Sequence, residues 1–383
     1  MPHLVALAMP AGMQFVDEMR RAWDAGHAVL PVDLRLPEAM VEALLRRLGA
    51  AEVVDRHGDR TRLDCGVPVE PGDALVMATS GTTGDPKGVV LTHAAIEASS
   101  LASSRRLGID PARHRWLACL PFAHVGGLSV VLRALHTGTP FDVLPGFDAN
   151  AVEAAAARGA THVSLVATAL RRIDPSVFVR ILLGGSRPPD DVPPNCTVTY
   201  GMTETASGIW YDDRPLDGVE VEVRPSPADG HAGDLPGEIH VRGPMLLRCY
   251  RDGTDPKTAD GWLPTGDLGE LTDDGRLIVH GRRGDMIVTG GENVWPSVVE
   301  DVLARHPAVR EVMVVGEPDT EWGQVVTAVV VPTDPADPPT LDVLRGFARD
   351  QLPPYALPRA LRIDRSLPRT ALGKLRRPRA SHV

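Results

Sequence analysis

The chain has 383 residues, 43% hydrophobic and 23% charged, enough for more than one domain with a substantial core and ordinary for a soluble globular protein. Its formal net charge of −10 speaks against a nucleic-acid binder, which carries a basic face. Cys65, Cys119, Cys196 and Cys249 are far apart without a C-x-x-C pair, indicating neither a zinc site nor a disulfide framework, and neither a signal peptide nor a membrane-length apolar run is present, so a reducing cytoplasm is the expected location.

In chain order, residues 28–33 read as a strand and 37–48 as a helix with Pro37 near its first turn. Residues 73–78 read as a short buried strand. A glycine- and hydroxyl-rich loop follows at 79–88, then strand-like 89–93 and a helical pattern from 94. Strands at 116–120, 140–144, 161–165, 179–183 and 196–200 alternate with helices at 125–135 and 151–157. Such alternation predicts an α/β fold with a largely parallel sheet, whose ligands sit in loops at the carboxyl ends of strands. From about residue 216 the texture changes. Alternating segments at 219–223, 237–242 and 276–279 predict an antiparallel β subdomain. A second change falls at residues 281–285. Beyond it come a strand at 286–289, a glycine pair, a helix at 296–305, strands at 309–315 and 325–331, and a helix at 340–351. This last piece of roughly 100 residues is large enough for a small domain.

The most informative run is Thr79-Ser80-Gly81-Thr82-Thr83-Gly84-Asp85-Pro86-Lys87-Gly88. Backbone N–H groups and hydroxyls in a small concave space suit a phosphate chain. It is not a Walker loop, because Pro86 precedes Lys87 and Gly88 follows it, leaving no hydroxyl after the lysine. Further candidates follow in order. His124 stands in Pro121-Phe-Ala-His124-Val-Gly-Gly127; alone it also fits a satisfied core or surface histidine. Gly184-Gly185-Ser186 follows a strand. Tyr200-Gly201-Met202-Thr203-Glu204-Thr205 carries a carboxylate, which also fits the acid of a helix N-terminus. Thr265-Gly266-Asp267 is equally explained by turn chemistry. Gly281-Arg282, Gly290-Gly291 and Pro368-Arg-Thr-Ala-Leu-Gly373-Lys374 complete the series, and a lysine in a basic tail is often merely solvated.

Together, in this order, these motifs resemble the adenylate-forming superfamily of acyl- and aryl-CoA ligases, luciferases and peptide-synthetase adenylation domains. The resemblance runs from residue 79 to residue 374. It implies an N-terminal domain over 1–282, with α/β sheets and a β subdomain, a hinge at 283–285 and a mobile α+β C-terminal domain over 286–383. It implies phosphate binding by Thr79, Ser80, Gly81, Thr82, Thr83, Gly84 and Lys87. Gly184, Gly185 and Ser186 would pass the adenine, with Tyr200 and Gly201 against it. Thr203 would bond a phosphate, Glu204 would bind magnesium and His124 would gate the acyl substrate. Asp267 would accept the ribose hydroxyls with Arg282 assisting, and Lys374 would carry the adenylation step. Gly290 and Gly291 would line the thiol channel, and Gly284 or Asp285 would be the hinge residue. Many relatives place a charged residue where this chain has Gly284.

The same resemblance implies two half-reactions with ATP, magnesium and coenzyme A. A carboxylate attacks the α-phosphate to give an acyl-adenylate and pyrophosphate, and a thiol then displaces AMP. The phosphate loop begins far earlier than in longer relatives. This short form, with Gly281-Arg-Arg-Gly-Asp-Met-Ile-Val-Thr-Gly-Gly-Glu-Asn-Val294, most resembles the o-succinylbenzoate–CoA ligases of menaquinone biosynthesis in actinobacteria. His124, Ser186, Arg187 and Thr205 lie on motifs expected to face that acid, without individual roles. Open alternatives are another aryl or short-chain acid, a carrier-protein thiol in place of free coenzyme A, and a non-catalytic nucleotide-binding protein on the same fold. Homodimers are common among the relatives; no nucleic acid or membrane partner is expected.

Overall fold

The structure is a computed structural model that describes residues 1–80, 86–185, 188, 191–225, 237–368 and 377. The chain divides into two compact units, one formed by Met1–Val221 with Val241–Leu263, the other by Glu222–His240 with Pro264–Val383.

The first unit opens with β1 (Leu4–Ala8), α1 (Met13–Asp24), β2 (Ala28–Pro31) and α2 (Glu38–Leu48). These are followed by β3 (Glu52–Asp55), β4 (Arg60–Arg62), β5 (Asp73–Ser80), β6 (Pro86–Thr92) and α3 (His93–Arg106). The strand Cys249–Tyr250, β6, β5, β2, β1, β3 and β4 lie side by side in that order among the described residues. The centre of this sheet is parallel and its flanks are antiparallel. Every residue of β2 is buried, as parallel central strands require. Leu4, Ala6, Leu30, Leu45, Val76 and Val90 form one core on it.

A second sheet follows from β7 (Trp116–Ala118), α4 (Val125–Thr137), β8 (Phe141–Val143), α5 (Ala149–Ala157) and β9 (His162–Leu165). It continues through β10 (Arg180–Leu183), β11 (Cys196–Met202), β12 (Ser207–Tyr211) and β13 (Arg214–Pro215). Its order is β13-β12-β11-β10-β9-β7-β8, parallel from β11 to β8 and antiparallel beyond. The helices α3 and α4 pack on each other, α3 against β6 and β12, α4 against β7, β9 and β12. They thus fill the space between the two sheets. Buried Arg133 of α4 ties this layer together. It donates to Ser103 of α3 (3.0 Å) and to Ser207 and Tyr211 of β12 (3.1 and 3.3 Å).

In the second unit the strands Leu263–Leu271 and Leu277–Arg282 pair antiparallel. The strands Ile287–Thr289, Glu292–Val294, Val309–Asp319, Gly323–Pro332 and Ala360–Ile363 make a further sheet. The helices Pro296–Leu303 and Leu341–Ala348 cover its core of Val299, Val302, Leu303, Val314, Ala328 and Leu344. Among the described residues no helix is long and apolar enough to cross a membrane.

Candidate active site

In the first unit, β5 and β6 pair antiparallel, with Thr79 opposite Lys87 and Ser80 opposite Pro86. Gly81, Thr82, Thr83 and Gly84 lie outside the described residues. Lys87 therefore projects from a strand. Its Nζ stands 4.7 Å from the centre of the Tyr250 ring, a distance at which the ring face attracts the ammonium. Tyr250 arrives there because Cys249–Tyr250 adds to the sheet edge, with Tyr250 opposite Val89. The Tyr250 hydroxyl donates to Glu204 Oε1 at 3.1 Å, and the Leu247 amide donates to the Glu204 carbonyl at 2.8 Å. One tyrosine thus links an ammonium to a carboxylate that lies far away in sequence. Lys87 and Glu204 stand out in the sequence; Tyr250 does not, since only sheet pairing brings it to them.

Glu204 belongs to a short 3-10 turn, Thr203–Thr205, that ends β11. The Thr205 hydroxyl accepts from the Met202 amide (3.0 Å) and donates to the Ser207 carbonyl (2.7 Å). Thr205 is fully buried. Its hydroxyl fastens the turn. The pairing of β11 with β12 shifts between Tyr200 and Gly201. A Cβ on Gly201 would lie 2.2 Å from the Ser207 carbonyl oxygen, so only glycine fits this crossing. Gly184 and Gly185 follow β10, the parallel neighbour of β11, so both stretches leave the same carboxyl-terminal edge. Ser186 and Arg187 lie outside the described residues.

His124 stands at the N-cap of α4. Its Nε2 is 2.9 Å from Arg35 Nη2. The same ring nitrogen is 3.6 Å from Asp33 Oδ2. Arg35 in turn grips Asp33 through Nε and Nη2, both at 2.8 Å. Burial opposes the charge on Asp33, but contacts with His124 and Arg35 outweigh it and hold the carboxyl well below the usual range. The sequence singles out His124 and passes over the Asp33–Arg35 pair that orients it.

In the second unit, Thr265-Gly266-Asp267 lies within the strand Leu263–Leu271 rather than in a loop. Gly266 has φ +73°, and its amide donates to Glu238 Oε1 at 3.0 Å. Asp267 is opposite Arg282, whose Nε lies 2.8 Å from Asp267 Oδ1 while Nη1 donates to the Thr265 carbonyl at 2.7 Å. The carboxylate is nearly buried and the arginine half exposed. Arg283–Asp285 forms a 3-10 turn, and a Cβ on Gly284 would meet no atom within 4 Å. Gly290 and Gly291 make the turn between Ile287–Thr289 and Glu292–Val294. Lys374 lies outside the described residues.

Among the described residues no group of three or more His, Cys, Asp or Glu side chains could cage a metal. Magnesium asks for only one or two carboxylates when phosphates supply further oxygens. A single carboxylate, Glu204, held beside Lys87 by Tyr250, fits an ion that arrives with ATP.

Residues 63–251 match the family described as AMP-binding enzyme, and residues 298–374 match the AMP-binding enzyme C-terminal domain. A 2-succinylbenzoate–CoA ligase of Bacillus mycoides is 37% identical over 97% of this chain and 87% of its own length. The o-succinylbenzoate CoA synthetase of Bacillus subtilis, solved with the acyl-adenylate intermediate OSB-AMP, matches with a TM-score of 0.85 at 28% identity, over 97% of this chain and 86% of that one. Solved with ATP and a magnesium ion, the same enzyme matches with a TM-score of 0.84 at 28% identity, over 97% and 88%. The chain belongs to the AMP-binding, adenylate-forming enzymes, within the family of 2-succinylbenzoate–CoA ligases.

Proposed function

We propose that this chain joins o-succinylbenzoate to coenzyme A at the expense of ATP, through an acyl-adenylate, as a cytoplasmic enzyme. The observation that carries the chemistry is the Lys87–Tyr250–Glu204 link, which sets an ammonium and a carboxylate beside the phosphate-loop hairpin. The family relationship supports the choice of acid.

In this reading Lys87, with the hydroxyls and amides of 79–84 and Thr203, holds the phosphates. Glu204 takes the magnesium that ATP brings. Tyr200, Gly201, Gly184, Gly185 and Ser186 hold the adenine, and Asp267 accepts from the ribose hydroxyls, its other edge being occupied by Arg282. A substrate carboxylate oxygen attacks the α-phosphorus and the bond to pyrophosphate breaks. Lys374 stabilises the charge as pyrophosphate leaves. The mixed anhydride replaces oxide, a very poor leaving group, by AMP. Residues 286–383 then turn about 283–285, with Gly284 or Asp285 absorbing the rotation, and Gly290 and Gly291 reach the thiol channel. The thiolate sulfur attacks the acyl carbon, and AMP departs with the electron pair. His124, held by Arg35 and Asp33, stands beside the acyl group.

The test is thioester formation from Mg·ATP, coenzyme A and o-succinylbenzoate, with benzoate and hexanoate in parallel and products identified by mass. The expected result is a thioester with o-succinylbenzoate alone. A thioester formed only with another acid refutes the substrate, and no thioester with any acid refutes the ligase reading.

A further inference from the structure

The tail that carries Lys374 is anchored by a residue that the motif reading does not use. Glu300 lies on the helix Pro296–Leu303, flanked by buried Val299, Val302 and Leu303. Its side chain is only 13% exposed. One oxygen, Oε1, accepts from the Val314 amide at 2.7 Å, which fixes the carboxylate against the strand Val309–Asp319. The other, Oε2, is 2.5 Å from Arg377 Nη2. The second arm of that guanidinium, Nη1, stands 3.4 Å from Asp285 Oδ2. Burial pushes the Glu300 carboxyl up, against the pull of Arg377 and the Val314 amide. A carboxylate so enclosed needs its cation, because an unpaired buried charge is strongly destabilising. Arg377 is therefore held at this spot by an interaction the fold cannot easily release.

The chain before it is held too. Leu367 is buried with Met313, Val315, Val329 and Val331. Leu367 and Arg377 are thus both held, and Lys374 lies between them in sequence. Three peptide units span at most about 11 Å, so holding Arg377 limits where the Lys374 ammonium can go. Asp285, the second partner, belongs to the turn that carries the proposed rotation.

We infer that Arg377 is a positioning residue for the adenylation step, tying the tail that carries Lys374 to Glu300 and to Asp285 of the 283–285 turn. This rests on the assignment of Lys374 above. Arg377 acts through the lysine, setting its register for the step that makes the acyl-adenylate. The second half-reaction, which needs no Lys374, is indifferent to it.

The experiment measures both half-reactions in Arg377→Gln, Arg377→Lys, Asp285→Asn and Lys374→Ala. ATP–pyrophosphate exchange with o-succinylbenzoate reads the first step. Thioester formation from supplied acyl-adenylate and coenzyme A reads the second. Arg377→Gln is expected to slow exchange on the order of tenfold to a hundredfold, the scale of a misplaced catalytic group, and to leave the second step within about twofold. Arg377→Lys restores one of the two contacts and part of the rate, and Asp285→Asn lowers exchange in the same direction by less. Equal slowing of both steps in Arg377→Gln marks a purely structural arginine and overturns the inference, as does unchanged exchange. If Arg377→Gln fails to fold, Arg377→Lys decides: slowed exchange with the second step held supports the inference, and equal slowing of both steps or unchanged exchange overturns it. Lys374→Ala separates the two readings: exchange that survives it refutes the role of Lys374 itself, whereas exchange lost in Lys374→Ala but intact in Arg377→Gln refutes only the positioning role.

Discussion

Replacing His162 by glutamine is expected to flatten the acid limb of this protein's stability. His162 lies on β9 between Trp116 of β7 and Arg180 of β10, and it is 2% exposed. Its ring is 4.5 Å from that of His114 and 5.2 Å from that of Trp116, and its Nδ1 is 2.9 Å from Thr161 Oγ1. Burial disfavours the imidazolium, and positive charge at His114 and Arg180 disfavours it further, so the pKa falls from 6.5 to about 4. The unfolded chain takes up a proton near its ordinary value that the folded chain refuses until much lower pH. Stability from this group is complete above pH 6.5 and is lost as pH falls through that window to about 4. Each unit costs about 1.4 kcal/mol, hence about 2 kcal/mol by pH 5 and about 3 kcal/mol at the lower end. That is a large share of a total near 5–15 kcal/mol. Urea unfolding of both proteins at about pH 7.5 and about pH 5 measures it. If His162→Gln loses as much stability as the parent between those two values, the histidine does not carry the linkage and the reasoning fails.

Two further outcomes concern the site. Gly201→Ala places a methyl 2.2 Å from the Ser207 carbonyl oxygen and 2.6 Å from the Gly208 Cα. It should lower stability by about 1–3 kcal/mol and depress pyrophosphate exchange by displacing Glu204; a wild-type thermal melt with full exchange would contradict this. Tyr250→Leu removes both the ring face under Lys87 and the donor to Glu204, each worth on the order of 1 kcal/mol. The kcat/KM for Mg·ATP should fall roughly tenfold or more while the KM for coenzyme A holds, and an unaltered Mg·ATP dependence would mean that Lys87 and Glu204 keep their places unaided.

The strands at 73–78 and 196–200 are legible because much of their apolar length goes inward, leaving short runs bounded by turn residues. Leu4–Ala8 is as apolar, but five such residues fit a buried helix as well as a strand. The helix His93–Arg106 is read from residue 94 in the sequence, although burial of Ser99, Ser100, Ser103 and Ser104 between the two sheets leaves it little apolar periodicity. Thr265-Gly266-Asp267 is written in turn-forming residues, yet it runs in a strand because Glu238 and the Ile239 carbonyl receive its donors. The candidate-site motifs are legible because each is a short run with its chemistry in local order. Tyr250, Asp33, Arg35 and Arg377 are not, since each acts through a partner that only tertiary packing supplies.

The pairing of Thr79 with Lys87 has a consequence for how this enzyme tolerates change. Side chains on a strand alternate between faces, so which way the lysine points is a matter of parity along the ladder. An insertion at 81–85 that leaves the ladder in register adds chain beyond the last pair and keeps the lysine over its tyrosine. A slip of one residue between the two strands, with loop length unchanged in sum, swings the ammonium to the opposite face. The rails of this ladder therefore admit only shifts of two.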